Sequence, residues 1–319
     1  MWRRGLMVWL GLLLLASPAI AAEPKTIAIT EFIEHPALDA IRKGLEDELA
    51  AQGLADESAV RFVFRSADGR IGRAEEIAQA FASSRPDVIV AISTPSAQAA
   101  ARATRETPIV FAAVSDPIAA DLVENPAAPG GNVTGVSDHA PITRNLELVR
   151  EVLPTVRRLG VVYTPSEDNS VILVERLKEA AARHDLTVVE GRAVSETDVG
   201  MATEGLVDRV DALYVPADNT AMAALDAIIS IAEAHDLPLL TSDVNAVPRG
   251  ALAALGFNYY EVGRQTGRIV ARILAGEDPG TIPVEPVRQT ELYLNQRAAA
   301  AMGVSLPAAL LARAKRVIE

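Results

Sequence analysis

Asp87-Val-Ile-Val-Ala-Ile-Ser-Thr-Pro-Ser96, running on into the Ala-rich segment Ala97 to Ala103, is the stretch whose reading decides the fold. Val88 to Ile92 is apolar at odd and even positions alike, so neither face of this strand can be left to water. A strand covered on both sides belongs to a parallel sheet with helices packed on its faces. The residues that follow supply such a helix. Thr94 reads as its N-cap, Pro95 suits the first helical position, and the alanines favour the turns after it. Thr107-Pro-Ile-Val110 then opens a second buried strand, Ile109 to Val114, which ends in the polar Ser115-Asp116-Pro117.

Toward the N-terminus the same alternation continues. Thr26 to Thr30 reads as a strand, followed by a helix in which Leu38, Ile41, Leu45 and Leu49 recur at helical spacing and Pro36 takes the first position. Val60 to Phe64 and the helix around Ile77 to Phe81 make the next unit. Beyond residue 150 the plan returns, with strands at Leu159 to Tyr163, Thr187 to Glu190, Asp211 to Val215 and Leu237 to Thr241. Asp211-Ala-Leu-Tyr-Val-Pro-Ala-Asp-Asn-Thr220 again runs into an Ala-rich helix. It then reaches Leu237-Pro-Leu-Leu240 and a polar Ser242-Asp243, matching the layout of the first half without repeating its sequence. The expected fold is therefore α/β, with two Rossmann-like doubly wound lobes. A final helix is expected over Leu306 to Val317, packed on the second lobe.

The N-terminus carries Arg3 and Arg4, an apolar run from Leu6 to Leu15, and small residues at Ala16, Ala19, Ala21 and Ala22. That order is expected of a cleaved signal peptide over residues 1–22, the apolar run being too short for the roughly 20 residues that span a bilayer. There is no cysteine, which excludes disulfides, a thiol nucleophile and a lipid-anchored cysteine. The expected product is a periplasmic protein that is not a lipoprotein. With 319 residues, 50% of them hydrophobic, the chain is long enough for two cores. A net charge of −12 argues against nucleic-acid partners, which require clustered Lys and Arg.

Chemistry gathers where the sheet rule places it, beyond the carboxyl ends of strands. Glu31-Phe-Ile-Glu-His35 follows the first strand and is equally an ordinary connection with His35 capping a helix. Thr94 and Ser96 sit where helix N–H groups and hydroxyls can receive a carboxylate, a role that coexists with capping. Ser115 and Asp116 end the next strand. Ser166-Glu-Asp-Asn-Ser170 reads either as a solvated helix cap or as a site segment containing Asn169. Asp218-Asn219-Thr220 and Ser242-Asp243 complete the set, and a carboxylate there can pair with an ammonium. Catalytic readings find no support. His184 and His235 stand at helix ends, no histidine pair has metal-ligand spacing, and no nucleophile elbow occurs. Gly130-Gly-Asn-Val-Thr-Gly135 lacks the Lys-Ser/Thr of a phosphate loop and reads as a turn into a strand.

Several of these segments together resemble the ABC-transporter substrate-binding proteins related to the tryptophan-binding protein TrpX. They are Phe32-Ile-Glu-His-Pro-Ala-Leu-Asp39, Thr107-Pro-Ile-Val-Phe-Ala-Ala-Val-Ser-Asp-Pro117, Pro129-Gly-Gly-Asn-Val-Thr-Gly-Val-Ser137, Val215-Pro-Ala-Asp-Asn-Thr220 and Ala254-Leu-Gly-Phe-Asn-Tyr-Tyr-Glu-Val-Gly-Arg-Gln-Thr-Gly267. The resemblance implies a type I periplasmic-binding-protein fold with a multi-segment hinge crossed near Val136, near Gly256 and around Pro283 to Thr290. One lobe then comprises residues 23–136 with 257–284, and the other 137–256 with 285–319. It implies capture of an amino acid, expected to be aromatic, between the lobes, and delivery to an ABC permease by a monomer without cofactor, metal or enzymatic activity.

By that resemblance Thr94, Ser96 and Ser115 would take the ligand carboxylate, and Asp243 and Asp218 the ammonium, assisted by Asn219 and Thr220. Phe32, Phe257 and Tyr163 would line the side-chain pocket, although the two phenylalanines are equally suited to the core. Glu34, Asp116 and Asn169 complete the candidate ligand-binding set. The alternatives are a branched amino acid, a purine or a sugar as ligand, or a sensing subunit that presents its closed form to a membrane receptor.

Overall fold

Alternation of strand and helix carries through the chain, as a computed structural model describing residues 23–54 and 59–319 shows. The expected signal peptide lies outside the described residues. The first lobe is built in order from β1 (Lys25–Glu31), α1 (Pro36–Ala51), β2 (Val60–Ser66), α2 (Ile71–Ser84), β3 (Val88–Ile92), α3 (Thr94–Ala103), β4 (Ile109–Val114) and β5 (Val133–Ser137). The second runs through α4 (Ile142–Val152), β6 (Arg158–Tyr163), α5 (Asp168–Ala182), β7 (Thr187–Arg192), α6 (Val199–Glu204), β8 (Ala212–Val215), α7 (Asn219–Ala223), α8 (Leu225–Ala234), β9 (Leu239–Asp243) and β10 (Ala253–Phe257). The chain then returns for α9 (Tyr259–Leu274) and β11 (Glu285–Pro286). It ends with β12 (Glu291–Asn295), α10 (Gln296–Ala301), α11 (Ala308–Arg313) and β13 (Arg316–Ile318).

The strands form two sheets, in the orders β11-β5-β4-β3-β1-β2 and β13-β12-β10-β9-β8-β6-β7. All pairs in the first sheet are parallel; in the second only β12 runs antiparallel, against β10. The central strand β3 is buried along its whole length, with its side chains shared between the cores on the two faces of the sheet. That is the environment its unbroken apolar run demanded.

The chain passes between the sheets three times: after β5, after β10 and between β11 and β12. The sheets carry Ser137 and Glu285–Pro286 in the first lobe, one and two residues beyond the expected change-over points. The pairing of Glu285 and Pro286 with Val136 and Ser137 is what extends it. A larger departure occurs at the C-terminus. The helix expected over Leu306 to Val317 stops at Arg313, and Arg316–Ile318 is a strand parallel to β12. Lys315 N–H donates to the Leu292 carbonyl at 2.8 Å, so an open sheet edge outcompetes the helical period over a short β-branched end. The helix at Thr94 also begins one residue early, with Ser93 as N-cap and no side-chain capping bond.

The two lobes are stitched by helix packing as well as by strands. After β10 leaves the second sheet, α9 packs along α1 in the first lobe, and Ile41, Leu45 and Leu49 meet Val262, Ile269 and Val270 in one core. Burying each such side chain contributes about 1.5–3 kcal/mol. The helices touch backbone to backbone. A Cβ on Gly263 would stand 2.0 Å from the Ile41 carbonyl oxygen, and one on Gly44 would stand 2.1 Å from that of Tyr260. Gly263→Ala should gain about 1 kcal/mol in helix propensity. It should lose more, because a backbone carbonyl cannot swing aside as a side chain can. A net destabilisation of about 1 kcal/mol or more is expected in urea unfolding of the ligand-free protein; an unchanged or higher midpoint would refute the close-contact account.

Candidate functional site

The carboxyl ends of both sheets face one another across a small cavity of about 30 Å³, where the sheet rule places ligand chemistry. From the first lobe it is lined by His35, Ala37, Leu38, Thr94, Ala113, Ser115 and Asp138. From the second come Asn169, Ala217, Asp218, Asn219, Met222 and Asp243, and Tyr259 stands at the crossing. Two strand ends on the first-lobe wall hold non-glycine residues at positive φ, Ser93 at 76° and Ala113 at 54°. At Ala113 the β4–β5 register shifts. Backbone strain of this kind persists where the surroundings over-determine it, characteristically around a ligand.

Unsatisfied polar atoms concentrate here. On the cavity wall the Thr94 hydroxyl, both ring nitrogens of His35 and one oxygen each of Asp138 and Asn169 are buried without a hydrogen-bond partner, as are the hydroxyls of Ser93, Ser96 and Ser242, which adjoin the lining residues Thr94 and Asp243 in the chain. Leaving such groups unpaired costs about 1–3 kcal/mol each, so a cluster of them marks a place where a ligand completes the bonding. A larger groove near the third crossing, on Arg144, Glu151, Arg288 and Lys315, holds none of these atoms and alternates in charge.

Among the described lining residues there are three carboxylates and no Lys or Arg. Burial pushes Asp243 up to about 6, against the Asn245 N–H that it accepts at 2.9 Å. Burial raises Asp138 as well. Behind the cavity, burial and then the nearby Asp218 raise Glu167. Burial drives His35 down to about 3, helped by the charge of Arg249, so its imidazole is neutral.

Of the residues expected from sequence, Thr94, Ser115, Asn169, Asp218, Asn219 and Asp243 reach the cavity wall. Others do not. Phe32 is 1% exposed and packs in the first-lobe core, while Phe257 is buried at the end of β10. Tyr163 donates its hydroxyl to Glu190 at 2.9 Å. Glu34 points to solvent on the connection before α1. Ser96 is buried in the first turn of α3, two residues after Thr94. Asp116 accepts the Ile118 and Ala119 N–H groups and pairs with Arg176 of the second lobe, so it bridges the cleft mouth instead of lining the cavity.

Asp218 and Thr220 serve the fold. The Asp218 carboxylate accepts from Thr164 N–H, the Thr164 hydroxyl and Ala221 N–H. Glu167 takes both the Thr220 hydroxyl, at 2.7 Å, and the Asn219 side-chain amide. Glu167 is thus a buried organiser of the second-lobe wall, not a solvated helix cap. Asp138, Tyr259, Met222 and His35 as a cavity residue went unread. Asp138 directly follows β5, so the strand-end rule that found Ser115 would also have found it.

The lobes are in contact across the cleft. Besides Asp116 and Arg176, Gln98 of α3 donates to Asp168 of α5 at 2.8 Å. Two lobes closed over a cavity of unpaired polar groups define a ligand-capture protein. Residues 26–318 match the family model described as ABC transporter substrate binding protein, and the chain belongs to that family. It is 38% identical over 272 residues to a tyrosine-binding protein of Clostridioides difficile (strain R20291), covering 85% of this chain and 79% of that one.

Its fold is the type I periplasmic-binding-protein fold. It superposes with a TM-score of 0.89 on an ABC domain from Streptococcus pneumonia in complex with L-Trp, at 33% identity over 93% of this chain and all of that one. Against the ligand-free, open structure of a substrate binding protein with adhesive properties from Clostridium difficile the TM-score is 0.68. There the identity is higher, at 37%, over 92% of this chain and 99% of that one. The present lobes are thus arranged more like those of the L-Trp complex than like those of the open structure.

The buried carboxylates set the sign of the pH response. Glu31, which burial raises to about 8, and Asp243, at about 6, keep protons in the folded state that they lose when unfolded near pH 4–4.5. The folded state then binds more protons, so stability falls as pH rises through that window. His35 acts oppositely, but only below its unfolded value near 6.5. The ligand-free protein should be less stable at pH 8 than at pH 6.5 in urea titrations. A flat or rising profile would contradict the burial of Glu31.

Proposed function

We propose that the chain is the exported capture subunit of an ABC importer, working in the periplasm and delivering an aromatic amino acid to a membrane permease. The observation that carries this reading is the pairing of opposite chemistries across one closed cavity. On the first lobe, unpaired hydroxyls stand at the N-terminus of α3. On the second, Asp243 faces them without a fixed cation. The first N–H groups of a helix together with free hydroxyls suit a carboxylate, and a buried carboxylate suits an ammonium. A zwitterionic α-amino acid satisfies both at once.

Thr94 and Ser115 would face the ligand carboxylate, with Ser96 supporting them from the first turn of α3, and Asp243 would take the ammonium. Ala37, Leu38, Ala113, Met222 and Tyr259 offer the apolar surface for its side chain. Tyr259 is the aromatic residue on that wall, since Phe32 and Phe257 are buried away from it. The aromatic preference also draws on the similarity to proteins described with tyrosine and L-Trp. Closure by a ligand that touches both lobes is a population shift, driven by contacts made only in the closed state. A carboxylate-only hydrolase would need an organised acid and base; here Asp218 is committed to N–H and O–H donors of its own lobe.

Thermal unfolding of the protein lacking residues 1–22, against amino acids, purines and sugars, tests this reading. A ligand at 100 times its dissociation constant should stabilise by about 2.7 kcal/mol. Tyr, Trp or Phe should shift the midpoint, and Asp243→Ala should weaken binding of the same amino acid about tenfold or more. Both tryptophans, Trp2 and Trp9, lie within the removed segment, so the fluorescence of bound Trp would be seen without background. A response to sugars or purines alone would discard the amino-acid reading and leave the fold assignment intact.

A further inference from the structure

Asp138 is the buried acid for which the fold supplies no full set of partners. It is 3% exposed and follows β5 directly, where the chain first leaves the first lobe. One carboxylate oxygen accepts the Tyr259 hydroxyl at 3.2 Å; the other has no hydrogen-bond partner, and the residue lines the cavity. Tyr259 is the first residue of α9, immediately after the chain's second crossing. One hydrogen bond therefore ties the first crossing to the second at the cavity wall. Asp218, the other acid in view, already receives three donors from its own lobe.

An ionised carboxylate accepts hydrogen bonds and donates none, so what completes Asp138 in that form is a donor, and a cation best of all. The Ser115 hydroxyl reaches the same carboxylate and, like the Tyr259 hydroxyl, favours its ionised form, against the burial that raises it. This places the donor next to the strand ends that face the ligand carboxylate, as the two groups on one α-carbon require. Asp243 lines the opposite, second-lobe side of the cavity. Closing the empty cleft gathers both acids with no counter-charge among the lining residues, which is costly in a buried site. Resting on the amino-acid reading above, we propose that the ligand ammonium is clamped between Asp138 of the first lobe and Asp243 of the second. Tyr259 is the positioning residue that holds Asp138 toward the ligand. The ammonium then supplies the charge that makes closure favourable, and its grip falls on the segments where the chain crosses between lobes.

The test compares L-Tyr, L-Trp and L-Phe with their des-amino counterparts, the 3-arylpropionates, by calorimetric titration of wild type, Asp138→Asn and Tyr259→Phe. Wild type should prefer the amino acid strongly. Asp138→Asn should lose about 10- to 100-fold for the amino acid and change little for the des-amino acid, so that the preference collapses. Tyr259→Phe, which keeps the ring and its packing, should move the same way by a smaller factor. Equal losses for both ligand types would mean a structural role and overturn the clamp, as would an unchanged amino-acid affinity in Asp138→Asn. A wild-type protein that binds no amino acid overturns the ligand reading itself, and the clamp with it.

Discussion

The approach of α9 onto α1 is the constraint on which the rest of the molecule depends. Gly44 and Gly263 let the two backbones touch, and no residue with a Cβ fits either place without moving a carbonyl. Because α9 begins two residues after β10 leaves the second sheet, its seating on the first lobe fixes where the crossing chain must run. It also sets Tyr259 against Asp138 at the cavity wall. The packing of one helix pair thereby determines the geometry of a polar contact on the cavity wall.

A second consequence concerns the balance between open and closed lobes. Direct interlobe bonds exist at the cleft mouth, from Arg176 to Asp116 and from Gln98 to Asp168. Their partly exposed ends make each worth on the order of 1 kcal/mol or less. Against them stands a cavity wall on which the Thr94 hydroxyl, the His35 imidazole and one Asp138 oxygen have no partner in the protein, at about 1–3 kcal/mol for each group left unpaired. The interior term outweighs the mouth contacts, so the empty closed form is the unfavourable one. A ligand that satisfies the interior groups reverses the balance. A capture protein needs that sign, since a cleft that closed as firmly when empty would exclude its ligand.

The fold was legible in sequence because its signals are local. The apolar run Val88–Ile92, followed at once by Pro95 and alanines, specifies strand then helix without reference to the rest of the chain. The terminal strand Arg316–Ile318 was not legible, because it exists only through the open edge of β12 contributed by another segment. The site divides in the same way. Residues found by position, just past strand ends, reached the cavity wall in the cases of Thr94, Ser115 and Asp243. Side-chain direction could not be read: Phe32 alternates inward to the core, and Asp116 turns outward to Arg176. Nor could the division of labour among acids, since it depends on which donors the surrounding backbone offers to Asp218 and Glu167.

Those donors explain why one wall of the cavity is rigid and the other receptive. Glu167 collects the N–H and side-chain groups of Asn219 and Thr220, and Asp218 collects those of Thr164 and Ala221. The loops after β6 and β8 are thereby tied to each other before any ligand arrives. On the first lobe the corresponding polar groups, the Thr94 hydroxyl, the His35 imidazole and one oxygen of Asp138, keep their bonding capacity free. A wall whose acids are satisfied internally offers shape and little further bonding; a wall of unsatisfied groups offers bonding and depends on its partner for stability. Bonding capacity is free on the first-lobe wall and at Asp243, while the saturated loops of the second lobe keep that acid's surroundings in place.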